Sequence, residues 1–386
     1  MVNSAPKVAV ACQGGGTHAA FEVGVLTEIL KDIHERNRFE LVGLSGTSAG
    51  DFCALMAWYG LAPKNGRAGS ARAAIDKLGR FWDGFAASTP AEIMLNLFSF
   101  STLTAQEKET PVFGVNAPVF SLNPRGAVGQ AVTAGLPFLG VRREYFDFTD
   151  LLAEACPQFD GIEWPKVRTR LLLGASEIVN GAETVFDSDC NIEAQDDKHA
   201  KPSVTHRWRN RQPLSLAGAA ASGTLPTVRE AEKIGDGYYW DGLYSQNPPV
   251  REFLAGVRKE QVPDEIWIVR INPQQSAQRP VSNAEIRDRE NELMGNLSLN
   301  KELDFILTVN EMIARYGGRL AEDYKPVTVR TIKMKPETAA DLRTSSKFDR
   351  SRTFIARLRA EGHEVARDWL ERWPDIGCYP DDAAYW

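Results

Sequence analysis

The sequence predicts an α/β protein, a three-layer α/β/α sandwich around a mostly parallel central sheet. Two observations carry that expectation. A short β-branched run, a glycine-rich turn and an apolar helical stretch follow one another twice before residue 60. Parallel neighbours need a crossover connection, usually a helix, so such repeated units build parallel sheets. Further short apolar runs then recur along the chain, separated by enough residues for helical crossovers.

In chain order, residues 7–11 (KVAVA) form the first strand candidate, and Gly14, Gly15 and Gly16 follow at once. Residues 19–31 (AAFEVGVLTEILK) place apolar side chains at helical spacing. Residues 40–44 (ELVGL) repeat the strand signal, 45–50 (SGTSAG) the turn, and 51–59 (DFCALMAWY) a buried helix. Later strand candidates are residues 169–174, 265–271 and 327–333, and long helical patterns run through 283–317 and 347–373. Residues 93–141 stand apart. Their only charges are Glu107, Lys108, Glu109 and Arg125, whereas the chain as a whole is 25% charged. This segment is either a buried excursion packed on the core or an apolar cap over an acyl-chain channel, and its pattern leaves both open.

Composition narrows the function. The chain has 386 residues and a formal net charge of −6. A mild acidic excess argues against nucleic-acid binding and against attachment to membranes through a basic surface. No charge-free apolar stretch reaches the 18 or so residues of a membrane span. The first residues lack the basic and apolar regions of a secretory signal, so cytoplasmic residence, peripheral at membranes at most, is expected. The five cysteines (Cys12, Cys53, Cys156, Cys190 and Cys378) are scattered without a C-x-x-C pair. That pattern suits free thiols rather than a disulfide framework or a thiolate metal site.

Three local patterns carry chemistry. Residues 46–50 read Gly-Thr-Ser-Ala-Gly, a G-x-S-x-G between a strand and a helix, where a nucleophile elbow would place Ser48. Gly46 and Gly50 suit such a turn because side chains there would collide with neighbouring backbone. An ordinary Gly/Ser turn is the competing reading. Gly14–Gly16 can direct several backbone N–H groups into one space, as an oxyanion hole requires. A phosphate cradle and a plain turn compete with it, although neither a G-x-G-x-x-G fingerprint nor a Walker lysine is present. Asp241-Gly242 presents a carboxylate at a tight turn, with Asp236-Gly237 as a local competitor.

A serine hydrolase usually pairs its serine with a histidine base. After Asp241 only His363 remains, in an amphipathic stretch that suits a surface position; His34, His199 and His206 lie in polar segments. The residues therefore point to a serine–aspartate dyad.

Together the glycine loop, the GTSAG elbow and the Asp-Gly turn resemble the patatin-like phospholipase family, in its order and approximate spacing. Residues 172–186 and 219–226 (AAASGTLP) resemble its supporting segments. The resemblance implies an acyl hydrolase domain over residues 7–253, with 254–386 as a carboxy-terminal extension on the same sheet. It implies Ser48 as nucleophile, Asp241 as base and Gly14–Gly16 as oxyanion donors, acting on a lipid ester without metal or organic cofactor. An acyltransferase or thioesterase on this scaffold, or a catalytically weak lipid-binding protein, are the alternatives.

Two departures stand out. Thr17-His18-Ala19 occupies the position of the family's x-Arg-Gly, which puts a titratable side chain, His18, beside the oxyanion loop. Leu243 follows Gly242 in place of a small residue. An arginine at position 18 is expected to keep or raise ester hydrolysis.

Overall fold

The computed structural model describes residues 5–107, 134–193, 208–226, 228–255, 257–276 and 279–379. Its strands are β1 (Lys7–Cys12), β2 (Glu40–Gly46), β3 (Arg170–Glu177), β4 (Glu183–Asp187), β5 (Arg209–Pro213), β6 (Glu232–Ile234), β7 (Gly237–Asp241), β8 (Glu265–Arg270) and β9 (Thr328–Lys333). The helices that matter below are α1 (Ala20–Glu35), α2 (Ala49–Leu61), α3 (Ala71–Phe85), α4 (Pro90–Glu107), α5 (Leu216–Ser222), α6 (Asn283–Tyr316) and α7 (Arg352–Arg372).

The strands join in the order β5-β4-β3-β2-β1-β8-β9, with the β6–β7 hairpin attached to β3. Pairing from β3 through β2, β1 and β8 to β9 is parallel; β4 and β7 run antiparallel to β3. The central strands carry apolar residues without alternation because both faces are covered. On β1, Val8, Val10 and Cys12 pack toward α1, α2, α3 and α7, while Ala9 and Ala11 join Ile266, Ile268, Leu299, Leu303 and Ile306 on the α6 side. The three layers and the mostly parallel sheet expected from the sequence are therefore present.

The strand candidates in the sequence match β1, β2, β3, β8 and β9. The polar β5 (RNRQP) and the short β6–β7 hairpin carry no such signal. The helical pattern over 347–373 begins late. Residues Thr344–Phe348 form a 3-10 turn, and α7 starts only at Arg352. The Asp349 carboxylate accepts the Ser351 N–H at 2.9 Å, a local turn that interrupts helix propagation.

Of the low-charge segment 93–141, residues 108–133 lie outside the described residues. Its first part continues α4, whose Ile93, Met94, Leu97 and Phe98 are all at least half exposed. Among the described residues no helix is long and apolar enough to cross a membrane.

Candidate active site

The site lies at the carboxyl ends of β1 and β2, where open parallel sheets present ligand crevices. Strand β2 ends with Gly46 opposite Leu173 of β3. Just beyond, β7 approaches β3 and sets Asp241 opposite Ala175. This register carries Asp241 to the turn that holds Ser48.

Ser48 has φ 57° and ψ −130°, a left-handed conformation that a non-glycine residue adopts only when its surroundings enforce it. Those surroundings are close backbone. A Cβ on Gly46 would sit 2.4 Å from the Gly50 carbonyl oxygen, and one on Gly50 would sit 2.5 Å from that of Cys12. Both positions need glycine. The Thr47 hydroxyl donates to the Gln246 carbonyl at 2.8 Å, and the Ser48 N–H donates to Ser222 Oγ at 3.1 Å. Helix α2 begins at Ala49, so its positive end lies behind the Ser48 hydroxyl.

Asp241 is fully buried, not the loop-tip carboxylate the sequence suggests: it is the last residue of β7. Its N–H donates to the Thr224 carbonyl at 2.9 Å, and its Oδ1 accepts the Leu243 N–H at 2.8 Å. Oδ2 has no partner at hydrogen-bond length. Burial pushes the carboxyl up to about 7; the Ser48 hydroxyl, the Leu243 N–H and the charge of Lys347 act in the opposite direction. Asp236, the local competitor, is exposed between β6 and β7.

The glycine loop leaves β1 through Gln13, whose side chain accepts the Ile271 and Asn272 N–H groups and donates to Asn296 Oδ1 at 2.9 Å. A Cβ on Gly14 would stand 2.9 Å from that of Ser48, so loop and serine are in contact. The Gly14 N–H is taken by Asn247 Oδ1 at 2.6 Å. The Gly15 and Gly16 N–H groups have no partner among the described residues. Gly242 abuts the Gly174 carbonyl and Thr47, where a Cβ would lie 2.5 and 2.9 Å away.

His18 is buried, with Nε2 at 2.7 Å from Ser346 Oγ. Burial, aided by the charges of Lys347 and Arg357, pushes it well below the usual imidazole range and leaves it neutral. His363 pairs with Glu28 of α1 at 2.8 Å, and His34 is exposed. His199 and His206 lie outside the described residues. Asp51, on the first turn of α2, is buried with neither oxygen at hydrogen-bond length of a partner. Burial pushes its carboxyl up; the Ser222 hydroxyl opposes this and the Asp241 charge adds to it.

The structure thus gathers Ser48, Asp241 and the glycine loop at one point. It adds Ser222, Asn247 and Lys347, which the sequence patterns do not mark. Ser222 and Asn247 lie within or beside motif segments, whereas Lys347 sits in a run that reads as an ordinary charged helix.

The fold thus places a strained serine between strand and helix, with a glycine loop against it and a buried acid beyond. The patatin-like phospholipase family matches residues 10–254, and the chain belongs to that family of lipid acyl hydrolases. The chain is also similar to VipD from Legionella pneumophila, at 11% identity over 95% of this chain and 67% of that one, with a TM-score of 0.39. It is similar to the ExoU–SpcU complex from the type III secretion system of Pseudomonas aeruginosa, at 14% identity over 96% of this chain, with a TM-score of 0.26. It spans 60% of the length of that matched chain. No curated protein sequence matches it.

Proposed function

We propose that this protein hydrolyses carboxylic esters of lipids through a dyad of Ser48 and Asp241. The observation that carries the reading is the fully buried Asp241 carboxyl, whose Oδ2 has no partner at hydrogen-bond length and whose ionised form the neighbouring Ser48 hydroxyl favours. A carboxyl near 7 is a far better proton acceptor at neutral pH than one near its usual value.

Asp241 takes the Ser48 proton as Oγ bonds to the ester carbonyl carbon. The tetrahedral intermediate expels the alcohol, which leaves with that proton, and the acyl group stays on Ser48. Asp241 then deprotonates a water that attacks the acyl carbonyl carbon; as the C–Oγ bond breaks, the fatty acid leaves and Asp241 returns the proton to Ser48 Oγ. The Gly15 and Gly16 N–H groups are the oxyanion donors in this scheme, and Gly14, tied to Asn247, fixes the loop that carries them. No step calls for a metal or an organic cofactor.

Intact mass after incubation with a lipid-like fluorophosphonate tests the reading on wild type, Ser48→Ala and Asp241→Ala. One adduct on wild type, absent from Ser48→Ala and slower to form on Asp241→Ala, is expected. An unlabelled wild type would sink the hydrolase.

A further inference from the structure

The carboxy-terminal segment reaches the glycine loop from outside the region that the family covers. A Cβ on Gly16 would meet the Lys347 carbonyl oxygen at 2.4 Å, and the Thr17 hydroxyl donates to that same oxygen at 3.0 Å. The neighbouring Ser346 contacts His18. The ammonium of Lys347 donates to Asn272 Oδ1 at 2.9 Å and to Asn291 Oδ1. Asn272 in turn donates through Nδ2 to the Gly14 carbonyl at 3.0 Å. The cation is thereby bound to the loop through a single side chain.

The partners chosen for this ammonium are telling. Both are neutral amides, and among the described residues no carboxylate lies within ion-pair distance of Nζ. Burial pushes the ammonium down to about 8, against the charges of Glu292, Asp288 and Asp241, so it is still charged at neutral pH. The ionisable groups that face it are Asp288 and Glu292 of α6, Asp241 of β7 and His18 of the loop, and His18 is neutral. The charge of Lys347 in turn favours the ionised form of Asp241.

We propose that Lys347 is the positioning cation of the Ser48 site, set against the glycine loop through Asn272 so that its charge favours the negative charge that develops there. The inference rests on the hydrolase reading above. It makes the extension beyond residue 254 part of the site's electrostatics and not packing alone. Fixed charges that are not reorganised during the reaction are effective in partly buried sites.

The test uses the full-length chain with a short soluble ester, comparing wild type, Lys347→Gln and Lys347→Arg. Glutamine keeps a donor toward Asn272 but removes the charge; arginine keeps the charge. For Lys347→Gln we expect kcat to fall about tenfold or more with KM within about twofold. The acid limb of kcat/KM should move to higher pH, since Asp241 loses a charge that favours its ionised form. Lys347→Arg should restore most of kcat and return the limb. Thermal melting separates misfolding from electrostatics, and Lys347→Met serves if the glutamine variant does not fold. Unchanged kcat and an unmoved limb in the neutral variant would overturn the inference, as would an arginine variant no better than glutamine. Failure of the hydrolase reading looks different: wild type itself neither takes up the fluorophosphonate nor turns over the ester.

Discussion

Ser222 Oγ accepts the backbone N–H of Ser48 at 3.1 Å, and its hydroxyl interacts with the buried carboxyl of Asp51. Helix α5 thus holds the strained serine through its backbone N–H. Replacing Ser222 with alanine leaves that N–H without its partner and relaxes the elbow. The expected cost is about 1 kcal/mol of stability and a fall of about tenfold in kcat. KM should stay near wild type, because Ser222 is buried behind the serine. Steady-state kinetics on a short ester, with thermal melting alongside, would show this. Wild-type kcat in Ser222→Ala would mean the bond is incidental.

The pH dependence follows from Asp241. The carboxyl must be ionised to accept the Ser48 proton, and its pKa is pushed up to about 7 by burial. Hence kcat/KM should rise with pH through about 7 and level off above it, with a limiting logarithmic slope of one on the acid side. The profile is to be measured after subtracting the Ser48→Ala background. A limb at the usual carboxylate position would show that Asp241 is not the base.

The same shift makes the acid a liability to the fold. Asp241 binds its proton more tightly folded than unfolded, so the folded state holds more protons between the usual carboxylate pKa and about 7. Stability from this group is greatest below that window and is lost as pH rises through it. Asp241→Asn removes the titration while keeping an acceptor for the Leu243 N–H. We expect it to be inactive yet more stable at pH 8 by roughly 1–3 kcal/mol, read as a higher urea midpoint with an unchanged slope. At pH 4 the gain should vanish. Equal stability at both pH values would contradict the buried, strained carboxyl.

The sheet's centre was legible because β1, β2, β3 and β8 are covered on both faces and so carry apolar runs, whereas the edge strand β9 (TVRTIK) shows only as a β-branched run. Strand β5 was not, because its arginines are used on ion pairs. Arg209 reaches Glu252 at 2.5 Å and Arg211 reaches Asp187 at 2.7 Å, and such polar runs carry no period. At the site, glycine requirements are local and show in the sequence: Gly46, Gly50 and Gly242 each press on backbone nearby in the fold. Lys347 depends on a contact between positions 16 and 347, and no local pattern encodes such a separation.

Helix α4 bears on chain-length selectivity. Its Asn96 bonds both Asp349 Oδ1, at 3.0 Å, and the Arg350 N–H, at 2.8 Å, which ties α4 to the segment that touches the glycine loop. Phe98 is 52% exposed, so aspartate there should cost little stability. If this face meets acyl chains, Phe98→Asp should lower kcat/KM on long-chain esters about tenfold while short-chain esters lose less than about twofold. Equal losses on both would assign α4 a purely structural part.

His18 gives the last prediction, and it reverses the expectation drawn from the sequence. Arginine at this position was expected to keep or raise hydrolysis. The side chain is 3% exposed, packs edge-on against Phe354 at 6.2 Å between ring centroids, and sits within the influence of Lys347 and Arg357. A guanidinium there would be both larger and a further buried cation beside two others. His18→Arg should therefore destabilise the fold by roughly 1–3 kcal/mol and displace the Ser346–Lys347 turn, lowering activity. His18→Gln, neutral and able to reach Ser346 Oγ, should retain most of both. Urea midpoints and short-ester kcat for the two variants decide the matter: an arginine variant as stable and active as wild type would show that the loop tolerates a second cation.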